Sequence, residues 1–450
     1  MDILAIRYNF TKFIIHVIIK KVIFMKVSFF TLGCKVNLYE TEVVMNLFKK
    51  KGYTIVPFDE KADVVVINTC SVTNTSDKKS RNIIRKAIKN NKNAIIVVMG
   101  CYSQVRSDSI KEIDGVSIII GNTNKSKVVE LVEEYLKNNK KILRIDNIMD
   151  VPFESMSLDH FETKTRAFVK IQDGCNNFCS YCIIPYTRGN IRSKDKDCVL
   201  EEVNCLVNNG YKEVVLTGIH TGHYGKDKYD YDFSDLLNEL CKIDGLERIR
   251  ISSIEITELD DKFLETLKNN KKIVDHIHIP LQSGCDKTLK EMNRKYDTKY
   301  YYEKIDKIRN IRPNISITTD LIVGFPNESE GDFNKTYEFL NKINFSKIHV
   351  FPYSRRKGTK ADLMDNQVDE EIKKERVKKI MELSKKLELN YMKKFLNKDL
   401  EILVEKIEND VIFGHTSNYI GIKKKGKVEE LNKLVWVKPN KIEYPIMLEK

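Results

Sequence analysis

The sequence predicts an α/β protein in three parts, on the strength of three observations. Residues 25–145 alternate apolar runs rich in valine and isoleucine with helical patterns, which is typical of an open parallel sheet. Residues 160–394 repeat a strand–helix unit six times, which predicts a partial (β/α)6 barrel of the TIM type. Residues 395–450 hold short strands separated by Gly, Asn and Asp turns, which predict a small β-barrel.

Four apolar segments are the expected strands of the first part: KVSFFTLG, DVVVINT, AIIVVMG and VSIIIG. The segments YETEVVMNLFKKKG, DKKSRNIIRKAIKNN and NKSKVVELVEEYLKNN have helical spacing, and Gly52 marks the end of the first of these helices. Residues 140–165 lack a clear period and contain Pro152, so we expect them to connect two domains.

Six further segments are the expected barrel strands: AFVKIQDG, EVVLTG, RIRISS, HIHIPL, ISITTDLIVG and KIHVFPYS. Helical patterns separate them, and a highly charged helix is predicted over 369–394. In such barrels the active residues lie at the carboxyl ends of the strands.

Residues 1–24 do not fit this pattern. The run FTKFIIHVIIKKVIF is apolar, but Lys12, Lys20 and Lys21 interrupt it, and it is too short for a membrane span. It also lacks the small-residue cleavage site of a signal peptide. We therefore expect translation to start at Met25, with the preceding residues an extension or a mis-assigned start.

The charge of the chain suggests a polyanionic partner. Lys and Arg number 77 against 64 for Asp and Glu, giving a net charge of +13, so nucleic acid is the first candidate. Lysine is abundant throughout, however, so charge alone is a weak indication. Ten irregularly spaced cysteines do not form a disulfide framework. We expect reduced thiols in a cytoplasmic protein that does not associate with membranes.

A basic strand in the last part is a candidate RNA contact. Lys423, Lys424 and Lys425 lie near Tyr419 and precede Trp436, and lysines with aromatic side chains suit RNA binding. The alternative is a solvated strand edge that lysines protect from pairing.

Three cysteines occupy matching places in the first part. Cys34, Cys70 and Cys101 each follow a predicted strand, at the sheet edge where open α/β sheets bind ligands. A single cysteine of this kind is commonly a buried structural residue. Three at equivalent strand ends favour a metal or cluster site.

Three more cysteines lie close together in QDGCNNFCSYCIIPYTRGN, directly after the first barrel strand. A structural zinc ion usually takes four protein ligands, whereas Cys175, Cys179 and Cys182 supply three. Thiolates are also the usual ligands of iron–sulfur clusters, and three of them leave one iron of a four-iron cube open to a small chelating ligand. A structural zinc site is the alternative.

This cysteine spacing resembles the signature of radical S-adenosylmethionine (SAM) enzymes, with Tyr181 at the expected aromatic position. The resemblance implies that SAM binds the open iron and is cleaved to a deoxyadenosyl radical. Ser252 and Glu255 end a barrel strand and are candidate SAM contacts, although they could instead cap a helix. Arg294 is a candidate for the SAM carboxylate, with a surface ion pair as the alternative.

Other segments narrow the resemblance to the methylthiotransferases of this superfamily. TLGCKVNLYETE, INTCSVTN and VMGCYSQ resemble their N-terminal domain, RISSIE, HIPLQSG, MNRKY and DLIVGFPNE resemble their radical domain, and the β tail resembles their RNA-binding TRAM domain. The resemblance implies two [4Fe–4S] clusters, a SAM cluster on the barrel trio and a second one on Cys34, Cys70 and Cys101. The remaining cysteines are interpreted as structural: Cys198, Cys205, Cys241 and Cys285.

The chemistry of that family requires such cofactors. It replaces an aromatic C–H bond by C–S–CH3, and no side-chain base can remove such a hydrogen at neutral pH. One SAM supplies the methyl group and another supplies the radical, so the difficult chemistry belongs to the cofactors. An electron donor and a sulfur source are further expected partners.

Two segments indicate the substrate. LGCKVN and GIHTG resemble the branch that acts on N6-threonylcarbamoyladenosine in tRNA, whereas the isopentenyladenosine branch more often has GCQMN and GQNVN. A third branch modifies a ribosomal-protein aspartate, and the basic charge favours RNA over that target. The implied site is the adenosine next to the anticodon, in the tRNA anticodon loop. The alternatives are the isopentenyladenosine enzyme and a non-catalytic iron–sulfur RNA-binding protein.

Overall fold

The computed structural model describes residues 25–161, 165–228 and 230–449. The expectation for residues 1–24 lies outside this part of the chain. The structure contains two compact units. The first comprises the described residues up to Leu158 together with Tyr186–Asn190, and the second comprises Asp159–Pro185 and the chain from Ile191 onwards.

The first unit contains a six-stranded parallel sheet with the order β2-β1-β3-β4-β5-β6. The four predicted strands are confirmed as its centre, and two three-residue edge strands, β2 and β6, were not predicted because they are too short to show a period. The strands are β1 (Lys26–Thr31), β2 (Thr54–Val56), β3 (Val64–Thr69), β4 (Ile95–Gly100), β5 (Val116–Ile120) and β6 (Ile142–Arg144).

Helices cover both faces of this sheet. Because side chains alternate along a strand, Val64 and Val66 pack into one apolar cluster while Val65 and Ile67 pack into another on the opposite face. The strand β3 is therefore buried throughout and reads as a continuous apolar run. The helices are α1 (Lys35–Lys50), α2 (Asn74–Asn90), α3 (Cys101–Lys111) and α4 (Val128–Asn138).

Helix α3 was not predicted, and its start depends on a glycine. Gly100 has φ +101°, and a Cβ atom there would lie 2.4 Å from Asn68 Oδ1, so only glycine fits. The helix is also irregular, since Arg106 has non-helical dihedral angles, and its apolar spacing is correspondingly weak. The turn at Gly100 sets Cys101 as the first residue of the helix.

The second unit begins with the partial barrel, and its six predicted strands are confirmed. They form two three-stranded parallel sheets, β11-β10-β7 and β12-β13-β14, and an isolated parallel bridge pairs Ile249 of β11 with Ile273, just before β12. A two-stranded hairpin, β8-β9, lies beside the first strand. The strands are β7 (Ala167–Lys170), β8 (Gln172–Asp173), β9 (Arg192–Ser193), β10 (Glu213–Thr217), β11 (Arg248–Ile251), β12 (His276–His278), β13 (Ser316–Val323) and β14 (Lys347–Pro352).

Several barrel helices begin at strong N-caps. Asp232 and Ser329 each form a capping box, and Asp260 accepts a hydrogen bond from the N–H of Phe263. The helices α5, α8 and α9 were not predicted, although Asp260 was a usable signal for α8. The helices are α5 (Ile184–Arg188), α6 (Lys196–Asn208), α7 (Phe233–Cys241), α8 (Asp261–Asn269), α9 (Asp286–Glu291), α10 (Thr298–Ile311), α11 (Glu330–Ile343) and α12 (Glu370–Lys393).

The C-terminal strands form a six-stranded mixed sheet with the order β18-β15-β16-β17-β20-β19. Its apolar cluster includes Ile402, Ile422 and Met447, together with Met392 and Phe395 from the end of the charged helix and the residues after it. The strands are β15 (Leu400–Glu408), β16 (Val411–Thr416), β17 (Gly421–Lys425), β18 (Leu434–Val437), β19 (Lys441–Glu443) and β20 (Ile446–Leu448). Within the described residues, no helix combines the length and apolar composition that crossing a membrane requires.

Candidate functional site

The first cysteine trio lies at one edge of the N-terminal sheet. Cys34 follows β1, Cys70 follows β3 and Cys101 follows β4, and these three strands are neighbours in the sheet. The loops approach closely, because a Cβ atom at Gly33 would lie 3.1 Å from the Cβ of Cys70. The structure therefore brings together three residues that are far apart in sequence.

The three thiols are also electrostatic neighbours. Burial, together with the neighbouring thiols of Cys101 and Cys34, raises the pKa of Cys70 to about 11. Cys34 is exposed as a residue, but the atoms around its thiol still raise the pKa of that thiol by desolvation. The guanidinium of Arg188 lowers this pKa, and the thiol of Cys101 raises it. A metal centre would supply the positive charge that such thiols need to ionise, so the trio fits a thiolate-bound cluster.

A buried guanidinium contacts this trio. Arg188 is fully buried at the end of α5, and its Nε donates a hydrogen bond to Cys101 Sγ at 3.3 Å. Its Nη1 donates to Glu40 Oε1 at 2.6 Å and its Nη2 to Asn37 Oδ1 at 2.6 Å. Asn122 Nδ2 gives Cys101 Sγ a second hydrogen bond, at 3.5 Å. Arg188 was not predicted from the sequence, where the one available signal is a charged residue just after the apolar IIPYT segment.

Glu40 joins Arg188 to a second buried cation. Lys125 Nζ forms an ion pair with Glu40 and also donates a hydrogen bond to Asn122 Oδ1 at 3.0 Å. All three charged side chains are fully buried. Together they carry one net positive charge, which suits an anionic neighbour such as a trio of thiolates.

The second cysteine trio lies in the loop after β8. Burial raises the pKa of Cys175 to about 11, and burial with Cys179 raises the pKa of Cys182 to about 12, so these thiols are again mutual neighbours. The loop is fixed by main-chain hydrogen bonds, because Ser180 N–H donates to Met292 O at 3.0 Å and Ser180 O accepts from Ala361 N–H at 2.8 Å. This trio fits a thiolate-bound cluster for the same reason as the first.

Arg294 contacts the second trio, and its location differs from the surface ion pair that the sequence left open. Its Nη1 donates to Cys179 Sγ at 3.4 Å, and its Nη2 forms an ion pair with Glu255. The ion pair of the alternative is present, but it does not lie at the surface, since the Arg294 side chain is 4% exposed and that of Glu255 is 18% exposed. Arg294 therefore binds the carboxylate of Glu255, and these two predicted SAM contacts both lie beside the cysteine loop.

The other predicted SAM residues have different surroundings. Tyr181 packs against the apolar cluster that contains Met292 and Phe325, and burial raises its pKa well above the ordinary value. Ser252 follows β11, and its N–H donates to Leu216 O at 3.0 Å. Their contact with SAM stays a prediction.

Two histidines that are not among the predicted site residues also lie at this loop. His220 Nδ1 is 3.7 Å from Cys175 Sγ, and its ring stacks on that of His223 with centroids 3.5 Å apart and planes 26° apart. Burial lowers the pKa of His220 to about 3, so it is neutral at pH 7. His223 Nε2 donates to Glu258 Oε1 at 2.9 Å. The His-Thr-Gly-His spacing after a barrel strand was the signal that could have found them.

His220, His223 and Glu258 are close enough for a metal ion, but the rings are poorly aimed. The nitrogen lone pairs lie in the ring planes. Because the two stacked planes are only 26° apart, they meet much farther from the nitrogens than a metal–nitrogen bond of about 2 Å. The group is better described as a hydrogen-bonded support for the cysteine loop.

The predicted RNA-contact lysines lie on β17. Lys423 and Lys425 are exposed, whereas Lys424 is half-buried with Glu449 Oε1 at 3.7 Å. Tyr419 stacks on His415 rather than standing free, and the guanidinium of Arg250 lies 4.7 Å from its ring. The Trp436 side chain, 66% exposed, is therefore the more available aromatic group.

The partial barrel with a three-cysteine loop after its first strand defines a radical SAM enzyme. Residues 169–340 match the family model of the radical SAM superfamily, and residues 26–121 match the model described as uncharacterized protein family UPF0004. A solved structure of the radical SAM methyltransferase TsrM from Kitasatospora setae has a TM-score of 0.54 and is 12% identical, covering 72% of each chain, which supports the fold.

Curated relatives narrow the class further. The threonylcarbamoyladenosine tRNA methylthiotransferase MtaB of Bacillus subtilis (strain 168) is 46% identical over 93% of this chain and 94% of its own length. The protein of that name from Aquifex aeolicus (strain VF5) is 43% identical over 92% and 100%. The tRNA-2-methylthio-N(6)-dimethylallyladenosine synthase of Clostridium botulinum (strain Loch Maree / Type A3) is 36% identical over 91% and 93%. The chain belongs to the MtaB-like family of radical SAM methylthiotransferases, and its cofactors are SAM and two [4Fe–4S] clusters.

Proposed function

We propose that this chain converts N6-threonylcarbamoyladenosine beside the tRNA anticodon to its 2-methylthio derivative. The observation that carries the proposal is the 46% identity to a relative of that name over nearly the whole chain, which includes both cysteine trios. The relatives named for dimethylallyladenosine reach 36%. The LGCKVN and GIHTG segments support the same branch.

We assign each cysteine trio to one cluster. Cys175, Cys179 and Cys182 would hold the cluster that binds SAM, and Cys34, Cys70 and Cys101 would hold the second one. When bound, these cofactors supply the radical, the sulfur and the methyl group that side chains cannot supply. We likewise propose the domain limits 25–145, 160–394 and 395–450 for the α/β, radical SAM and RNA-binding parts.

A buried arginine donates a hydrogen bond to one cysteine of each trio. Arg188 donates to Cys101 and Arg294 donates to Cys179, and each cation would stabilise the negative charge of a cluster held there. Glu40 and Glu255 form ion pairs with these two guanidinium groups, so each arginine is held in place.

We further propose how the substrate is met. The target base lies in the anticodon loop, where it is unpaired, so presenting it requires little loss of stacking. Lys423, Lys425 and Trp436 would contact that RNA, with lysines on phosphates and the indole on a base. An electron donor and a sulfur source complete the reaction, in the cytoplasm where tRNA is modified.

Nucleoside mass spectrometry of tRNA from a deletion strain tests the substrate. The strain should lose 2-methylthio-N6-threonylcarbamoyladenosine and keep threonylcarbamoyladenosine that lacks the methylthio group. The wild-type gene should restore the methylthio form. A plasmid carrying Cys175→Ala is the matched control and should not restore it. Loss of the methylthio form of isopentenyladenosine instead would assign the chain to the other branch.

A second assay separates an enzyme from a non-catalytic binding protein. The reduced, cluster-loaded chain should release 5′-deoxyadenosine from SAM. Absence of that product, with full iron content, would favour the iron–sulfur RNA-binding protein.

A further inference from the structure

Helix α2 has an unusual charge pattern. Its sequence NTSDKKSRNIIRKAIKN contains one acidic residue, Asp77, which is buried and accepts a hydrogen bond from Ser71 Oγ at 2.8 Å. Its basic residues are Lys78, Lys79, Arg81, Arg85, Lys86 and Lys89. The helix therefore carries a net charge of +5, from six cations and one carboxylate.

The cations share one face. Lys78, Arg85 and Lys89 are exposed and recur at helical spacing, while Ile84 and Ala87 are buried in the apolar cluster under the sheet. Like charges four residues apart, as at Arg85 and Lys89, destabilise an isolated helix. The helix keeps this repulsion on its solvent side.

Another lysine-rich helix shows that composition alone does not explain the pattern. In α12 the lysines alternate with glutamates, and pairs form between Lys374 and Glu371 at 2.6 Å and between Lys379 and Glu375 at 2.9 Å. Over the part of the chain that the structure describes, the exposed cations of α2 have one such carboxylate partner, Asp59, which lies 2.9 Å from Lys86.

The basic face begins near the cysteine trio. Thr73 caps the helix by accepting a hydrogen bond from Ser76 N–H at 3.1 Å, three residues after Cys70. The helix has 17 residues and so extends about 25 Å from that sheet edge. At its far end a cleft of about 600 Å³ is lined by Asp63, three asparagines and the lysines Lys26, Lys61, Lys89 and Lys92.

We propose that the exposed basic face of α2 binds the phosphate groups of the tRNA substrate. The inference rests on the proposed function and adds a second RNA-contacting surface, in the N-terminal unit. Lysine and arginine contacts to phosphates release counterions and fix the position of an RNA without reading its sequence. A strand bound along this face leads towards the edge where Cys34, Cys70 and Cys101 lie.

The test is a triple variant, Lys78→Gln, Arg85→Gln and Lys89→Gln, in the full-length, cluster-loaded chain. All three side chains are exposed, so the fold and iron content should stay unchanged. Binding of a fluorescently labelled tRNA is measured between about 50 and 200 mM salt. We expect affinity to fall about tenfold or more, and the slope of log affinity against log salt to decrease by about two.

The matched control removes the same charge from α12, with Lys374→Gln, Lys378→Gln and Lys386→Gln, and should bind tRNA almost as the wild type does. Equal losses in both triple variants would overturn the inference, because net charge would then explain the effect. Wild-type binding by the α2 variant, with methylthiolation intact, would overturn it and leave the proposed function standing. If that variant instead slowed reduction of the chain by an acidic flavoprotein, the face would belong to a protein partner. A wild-type chain that does not bind tRNA would overturn both.

Discussion

Arg188 Nε donates a hydrogen bond to Cys101 Sγ at 3.3 Å from a side chain that is fully buried. The arginine follows the barrel cysteines by only a few residues, yet it packs with the N-terminal unit and contacts that unit's own trio. A buried cation beside a cluster ligand stabilises the reduced, more negative form of the cluster, because charges interact strongly where water is excluded.

Replacing Arg188 by Gln should therefore make the midpoint potential of the second cluster more negative. Arg188→Lys keeps the charge and should leave the potential near that of the wild type. A redox titration followed by electron paramagnetic resonance measures both, and the SAM cluster of the same sample serves as an internal control. Equal shifts in the Lys and Gln variants would assign the effect to hydrogen-bond geometry rather than to charge.

The buried group of Glu40, Arg188 and Lys125 gives a prediction on stability. Glu40→Gln leaves two buried cations without that carboxylate, and breaking a buried pair in this way costs about 3–5 kcal/mol. Lys125→Met leaves Glu40 paired with Arg188 and should cost less. Urea unfolding of the cluster-free chain measures the difference, and a larger loss for Lys125→Met would contradict the charge argument.

Iron content tests the two trios independently. Two [4Fe–4S] clusters correspond to about eight iron atoms per chain, so Cys34→Ala and Cys175→Ala should each reduce the content to about four after anaerobic purification. Cys205→Ala is the control and should keep the full content, because that cysteine lies in α6, away from both trios in the sequence. Full iron in Cys34→Ala would remove the second cluster from the proposal.

The sequence was sufficient to predict the central strands and the cysteines at their ends, but not the buried contacts around those cysteines. Cys34, Cys70 and Cys101 could be grouped because each follows an apolar run, and parallel strands place such positions at one edge. The edge strands β2 and β6 have three residues each, too few for a hydrophobic period to show.

The residues that surround the trios could not be predicted in the same way. Arg188 meets Glu40 across 148 residues and Lys125 meets it across 85, and no local pattern encodes such tertiary pairs. His220 and His223 did have a local signal, but loop histidines are commonly solvated, and only the structure shows that burial makes His220 neutral. The charge of α2 was visible in the sequence, while the finding that Asp59 alone among the described residues pairs with its exposed cations required the fold.

Glu258 predicts how stability changes with pH. Burial alone would raise its pKa, but hydrogen bonds from His223 and Lys226 outweigh burial and lower it to about 2. The unfolded chain, with a value near 4.5, therefore takes up the proton first as pH falls. The stabilisation is complete above about pH 5 and is lost as pH falls towards 2.

Glu258→Gln should accordingly be less stable than the wild type at pH 6, and the difference in stability between the two should narrow by pH 3. Urea midpoints at several pH values measure this, with Glu239→Gln, from the exposed pair with Lys242, as the control. A gap that stayed constant from pH 6 to pH 3 would show that the loss comes from packing and not from the charge of Glu258.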